Sequence, residues 1–258
     1  MNERSASNPE RPALAGKTVL ITGAARRVGA ALAQKLHGAG ANIAIHFRRS
    51  EAEALALAQT LEKSRPRSTA LIQADLLDNT CFPKIVEAVL DTFGQLDMLV
   101  NNASAFYPTP FGEITAQHWE ELIGSNLRAP LFLSQAAAPA LRITQGMILN
   151  VADIHGMRPL KRYPVYSVAK AGLIMLTKAL AREMAPHVRV NAIAPGPVMW
   201  PEGSAADKEL QHMIIDRTLL KRPGSPEDVA RAALFFAADA PYVTGQILAV
   251  DGGRSVGW

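Results

Sequence analysis

Residues 18–29 read TVLITGAARRVG: an apolar run from Thr18 to Thr22, a turn opening on Gly23, and then a segment in which Val28, Leu32 and Leu36 recur at helical spacing. A buried strand that enters a glycine turn and leaves it as an amphipathic helix is the opening unit of a nucleotide-binding α/β sheet. The free N–H groups and positive dipole end of such a helix suit a pyrophosphate. Between Gly23 and Gly29, where another glycine would let backbone approach phosphate closely, the chain carries Arg26 and Arg27. Two guanidinium groups inside a phosphate turn need an explanation.

Working outward, short apolar runs alternate with longer stretches of helical period. The runs 18–22, 42–47, 69–74, 97–102, 146–151, 188–194 and 246–250 predict strands. Their apolar positions are contiguous rather than alternating, as in a parallel sheet covered on both faces. Helices are expected over 28–37, 51–63, 80–93, 115–140 with a break at Pro130, 164–185 and 226–238. The last opens Ser225-Pro226-Glu227-Asp228, an N-cap followed by proline and acids in the first turn. The alternation specifies one doubly wound, Rossmann-like α/β domain over residues 14–258. In such a sheet ligands bind beyond the carboxyl ends of the strands, so chemistry is expected in the loops there.

The 258 residues are 48% hydrophobic and 19% charged, enough for a sizeable core. The net charge of +4 comes without a run of five or six basic residues, so no nucleic-acid partner is expected. Cys81 is the single cysteine, which excludes an intrachain disulfide and a cysteine zinc site and points to a reducing compartment. No metal site is expected. Residues 1–13, MNERSASNPERPA, lack the apolar core of a secretory signal and read as a disordered tail. No stretch is long and apolar enough to span a bilayer, and a cytoplasmic location is expected.

At the end of the second strand the chain runs His46-Phe47-Arg48-Arg49-Ser50. A free ribose 2′-hydroxyl is usually met there by a carboxylate, whereas two arginines and a serine suit a 2′-phosphate, so NADPH/NADP+ is expected over NADH. Asp75, ending the third strand, is placed to meet the adenine. In the helix after strand five, Tyr166 and Lys170 stand at i and i+4, an ammonium on the face of a phenol whose pKa it is expected to lower. Asn126 lies in the preceding long helix, where it could hold a water in a proton relay.

ITGAARRVG, LVNNAS (99–104), Tyr166-xxx-Lys170, Ala194-Pro195-Gly196 and Val250-Asp251-Gly252-Gly253 together resemble the short-chain dehydrogenase/reductase family. The resemblance spans about residues 16–254. It implies strand order 3-2-1-4-5-6-7, hydride transfer from nicotinamide, and Asn126, Tyr166 and Lys170 as catalytic residues. It also implies cofactor contacts from Gly23, Arg26, Arg27, Val28, Gly29, His46, Arg48, Arg49, Ser50, Asp75 and Leu76. Asn102, Ala103, Ser104, Tyr166, Lys170, Pro195 and Gly196 complete that set. A homotetramer and a mobile substrate loop over about 196–214 follow by the same resemblance.

Two positions depart from the family pattern. Asp153 stands where most members have serine, and Arg27 where most have glycine. A carboxylate beside a phenol can relay protons to a ring nitrogen, which suits reduction of C=N more than C=O. With Asn102-Ala103-Ser104-Ala105-Phe106-Tyr107-Pro108-Thr109-Pro110, the pair resembles the pteridine reductases of that family. The resemblance implies a pterin or folate substrate held by Arg27, Ser104, Phe106, Asp153 and Tyr166, with Phe106 stacked on the ring. Pro197 and Val198 replace a hydroxyl-bearing segment, so that contact is not carried over; Trp258 stands where some members reach a neighbouring subunit's site with a charged residue, and it either closes such a site or packs at an interface. The rival expectations are a reductase of 3-oxoacyl thioesters or another small carbonyl, and a non-catalytic NADPH-sensing regulator.

Overall fold

Strand β1 (Thr18–Ile21) lies inside a seven-stranded sheet, third from one edge. The others are β2 (Asn42–Phe47), β3 (Thr69–Gln73), β4 (Met98–Asn101), β5 (Met147–Val151), β6 (Arg189–Pro195) and β7 (Ile247–Val250). All pairings are parallel, in the order β3-β2-β1-β4-β5-β6-β7. The computed structural model describes residues 12–198 and 208–257. The expectations for the tail through residue 11, for 199–207 of the substrate loop and for Trp258 lie outside the described residues.

The contiguous apolar runs are explained by burial on both faces. On one face Val19, Ile21, Ile43, Ile45 and Leu149 pack against α1 (Arg27–Gly38), α2 (Glu51–Glu62) and α8 (Pro226–Leu234). On the other, Leu20, Leu99, Ile148 and Val190 meet α3 (Cys81–Phe93), α5 (Ala129–Thr144) and α6 (Pro164–Met184). Successive side chains of β1 thus enter opposite cores, and a polar residue on either face would be buried without water. The start of α8 follows its sequence signal: Ser225 Oγ accepts the Asp228 N–H and Asp228 Oδ2 accepts the Ser225 N–H, a reciprocal capping box.

The long helix expected over 115–140 is divided. Helix α4 (Ala116–Ile123) passes into a π-helical turn, Gly124–Arg128, and α5 begins at Ala129 with Pro130 in its first turn. The break therefore precedes Pro130, and α5 carries Pro139 inside it and runs on to Thr144. A further helix, α7 (Lys208–Asp216), falls in the later part of the expected substrate loop.

Candidate active site

The glycine turn is assembled from both sides. Thr22 Oγ1 accepts the N–H groups of Asn102 (2.9 Å) and Ala103 (3.0 Å), while Asn102 Nδ2 donates to the carbonyls of Thr22 (2.8 Å) and Gly23 (3.1 Å). The end of β4 is thus stitched to the end of β1. Gly23 has φ +61°, and a Cβ on Gly29 would come within 2.2 Å of the Gly23 carbonyl oxygen, so α1 can sit this close to the turn only with glycine there. Arg27 adopts φ +55°, the left-handed conformation that glycine would take at no cost. The strain is real, and it sits on the residue that departs from the family pattern.

Helix α1 has no acidic residue in its first turn and no side-chain hydrogen bond from its N-cap, Arg26. Helices α2, α3, α5 and α6 also lack a side-chain cap, so what marks α1 is its place directly after the glycine turn. An uncapped helix start facing a crevice fits an anionic group, and a dinucleotide pyrophosphate fits it. Arg26 pairs with Glu53 at 3.6 Å. Arg48 and Arg49 are exposed beyond β2, with Arg48 Nε 3.3 Å from Asp75 Oδ2. Asp75 also accepts the Leu77 N–H, and Leu76 is buried beside it. Ser50 stands at the N-cap of α2, but its hydroxyl caps nothing there. At the end of β6, a Cβ on Gly196 would lie 2.7 Å from Asp251 Cα, which makes the Pro195-Gly196 bend a close approach of two segments of the backbone.

His46 differs from its sequence reading. It is buried, with Nδ1 accepting the Gly23 N–H (3.2 Å) and Nε2 donating to the Ala74 carbonyl (3.2 Å). Both ring nitrogens are spent on backbone, so His46 braces the turn from beneath instead of presenting a donor to phosphate. Burial lowers its pKa to about 4. Between pH about 6.5 and about 4 the unfolded chain therefore binds the proton that the folded chain refuses, and His46's contribution to stability is lost as pH falls through that window. The loss is expected to reach about 3 kcal/mol. Because buried His37 shifts the same way, the check is urea unfolding of the parent against His46→Gln across that window. The variant should show the shallower pH slope; parallel slopes would refute the assignment.

At the other end of the crevice, Asp153 follows β5 and caps a short 3-10 turn, Ile154–Gly156. Its Oδ1 accepts the His155 N–H at 2.7 Å, and its Oδ2 accepts the Tyr166 hydroxyl at 2.7 Å. Tyr166 is buried on the first turns of α6. Contrary to the expectation from the i, i+4 lysine, its pKa is raised well above the usual phenol value, by desolvation first and by the Asp153 carboxylate second. The phenol is held protonated, as a donor. Lys170 Nζ donates to the Val151 carbonyl at 2.9 Å and lies 5.7 Å from the Tyr166 ring centre. Its burial lowers its own pKa to about 8.

Asn126 sits in the π-turn, fully buried. Its Nδ2 donates to the carbonyls of Leu122 and Ala105, and its Oδ1 accepts the Ser104 hydroxyl at 2.6 Å. The π-turn aims Asn126 at the loop after β4, and single π-turns recur at functional positions. The Ser104 hydroxyl, its proton given to Asn126, also lies beside the Tyr166 hydroxyl, whose pKa it lowers against the effects of burial and Asp153. Phe106, 40% exposed, stacks on Tyr163 (4.7 Å, 16°) and meets Tyr166 edge-on (4.8 Å, 78°). Tyr163 escaped the sequence reading, although an aromatic one helical turn before Tyr166 was its signal. Thr22, which organises the turn, was missed as well.

The carboxyl ends of β1, β2 and β4 thus form a dinucleotide crevice, and those of β4 and β5 with α6 a proton-donating pocket beside it: a nicotinamide-dependent oxidoreductase. A family model described as Enoyl-(Acyl carrier protein) reductase matches residues 23–255, and the chain belongs to the short-chain dehydrogenase/reductase family. It is 35% identical over 249 residues to 3beta-hydroxysteroid dehydrogenase 1 of Eggerthella lenta, covering 94% of this chain and 95% of that protein. It is 34% identical over 279 residues to Pteridine reductase 1 of Leishmania tarentolae, covering 92% and 96%. A 3-oxoacyl-(acyl-carrier-protein) reductase of Staphylococcus aureus is 34% identical over 240 residues, covering 92% and 97%. Family members of this kind use NAD(P)H as hydride donor. Among the described residues no helix is long and apolar enough to cross a membrane, and no cluster of His, Cys, Asp and Glu could hold a metal.

Proposed function

We propose that the protein is an NADPH-dependent pteridine reductase that converts a dihydropterin to its tetrahydro form, with oxidised pterins and dihydrofolate as further substrates. The observation that carries this reading is the hydrogen bond between Asp153 and Tyr166. Reducing C=N places a proton on nitrogen, and the nicotinamide supplies the hydride. Tyr166, kept protonated by burial and by Asp153, holds the proton, and Asp153 replaces it by exchange with solvent. Lys170 orients the cofactor ribose, Asn126 fixes the loop that carries Ser104 and Phe106, and Phe106 offers a planar ring to a planar heterocycle.

The exposed pair Arg48 and Arg49 with Ser50 supports a 2′-phosphate and so NADPH. Exposed apolar side chains on α5 (Leu131, Phe132) and α6 (Val168, Met175) support assembly into a homotetramer through these helices. The rival reading, a 3-oxoacyl thioester reductase, is favoured by a relative of equal identity.

The purified protein assayed with NADPH is expected to turn over dihydrobiopterin and dihydrofolate and to leave acetoacetyl-CoA untouched. NADH should support at least about tenfold lower kcat/KM, with Arg49→Glu narrowing that gap. Turnover of acetoacetyl-CoA with no pterin turnover would overturn the proposal.

A further inference from the structure

We infer that residues 155–162, at the rim of the substrate pocket, form a subsite for an anionic substituent on the substrate, a glutamyl carboxylate or a phosphate ester. The inference rests on the pterin reading and narrows its substrate class.

Both ends of this segment are fixed to the site. At its start Asp153 accepts the His155 N–H, and Gly156 packs on the backbone of Lys170, where a Cβ would fall 2.7 Å from the Lys170 carbonyl carbon. At its end the Arg162 carbonyl accepts the Thr109 N–H at 2.7 Å, and Tyr163 stacks on Phe106. Arg162 has φ +70°, a strained conformation for a residue with a side chain, kept at the point where the segment turns into the pocket wall.

Between these anchors Lys161 and Arg162 are exposed, and residues 154–163 contain no aspartate or glutamate. Among the described residues of the pocket wall, Asp153 keeps its charge but faces buried Lys170, which offsets it, and Glu121 accepts the Tyr107 hydroxyl. A basic rim attracts anions and raises their local concentration. A ring seated against Phe106 and within reach of Tyr166 leaves its substituent at the mouth, along this rim. A neutral dihydroxypropyl chain gains nothing there; a carboxylate or phosphate does.

The test compares kcat/KM for dihydrofolate, dihydroneopterin phosphate and the uncharged dihydrobiopterin, at low and high salt. The subject is the full chain and its Lys161→Glu/Arg162→Asn variant, asparagine being tolerated at positive φ. The variant is expected to lose about tenfold in preference for the anionic substrates over dihydrobiopterin, through KM, together with the salt dependence of that preference. Lys161→Gln alone should lose about threefold, which guards against a folding defect in the double variant. A fall for both anionic substrates, or for one of them, supports the subsite and identifies its anion. A preference unmoved in both variants overturns it. Absence of pterin turnover in the parent protein would instead remove the pteridine reductase reading itself.

Discussion

Tyr166→Phe is expected to lower kcat by about 10²–10⁴-fold, because it removes the proton donor that burial and Asp153 keep protonated. NADPH binding, followed by fluorescence titration, should survive. Asp153→Ser tests the same couple from the other side, since it restores the residue most of the family carries. It should cost about a hundredfold in dihydropterin turnover. The phenol would lose both the carboxylate that raises its pKa and the group through which its proton is renewed. Undiminished pterin turnover by Asp153→Ser would sink this account. The parent enzyme should also lose activity as pH rises through about 8, where Lys170 gives up its proton and no longer places a cation beside the phenol and cofactor. Asp153 counteracts that loss, since its charge raises the Lys170 pKa against the effect of burial. Asp153→Ser should therefore move the alkaline limb to lower pH.

The sheet was legible because each strand is buried on both faces and so appears as an unbroken apolar run; β2 fills the run 42–47 end to end. The glycine turn was legible because Gly23 and Gly29 mark backbone geometry directly. What escaped were relations between distant segments. The spacing of Tyr166 and Lys170 shows a cation on the helix face, but not the depth of burial, nor the carboxylate arriving from the end of β5, and those two decide the phenol's pKa. The π-turn at Gly124–Arg128 escaped because a single wide turn is too short to set a period of its own, while Pro130 drew the break to itself. His46 looked like part of a phosphate site because it adjoins Arg48 and Arg49; side chains alternate along a strand, and its own points inward beneath the turn.

Arg27→Gly separates stability from function at the residue that makes this turn unusual. At φ +55° an arginine pays about 1 kcal/mol or more that glycine does not, partly offset by glycine's greater freedom in the unfolded chain. The variant should therefore be as stable as the parent, or more stable by as much as about 1 kcal/mol, in thermal unfolding of the ligand-free protein. Its affinities should move the other way. On the proposed reading the Arg27 guanidinium meets both cofactor phosphate and pterin through charge-assisted hydrogen bonds worth about 1.5–3 kcal/mol, so Kd for NADPH and KM for dihydropterin are each expected to rise about tenfold to a hundredfold. Arg27→Ala loses the same contacts but keeps a Cβ at positive φ, so it should weaken binding equally without the gain in Tm. If Arg27→Gly bound NADPH and pterin as tightly as the parent, the strain at this position would have no functional counterpart. If instead it were clearly less stable, the guanidinium would be holding the fold together and not its ligands. Stability kept and binding lost is the outcome that a strained arginine in a phosphate turn requires.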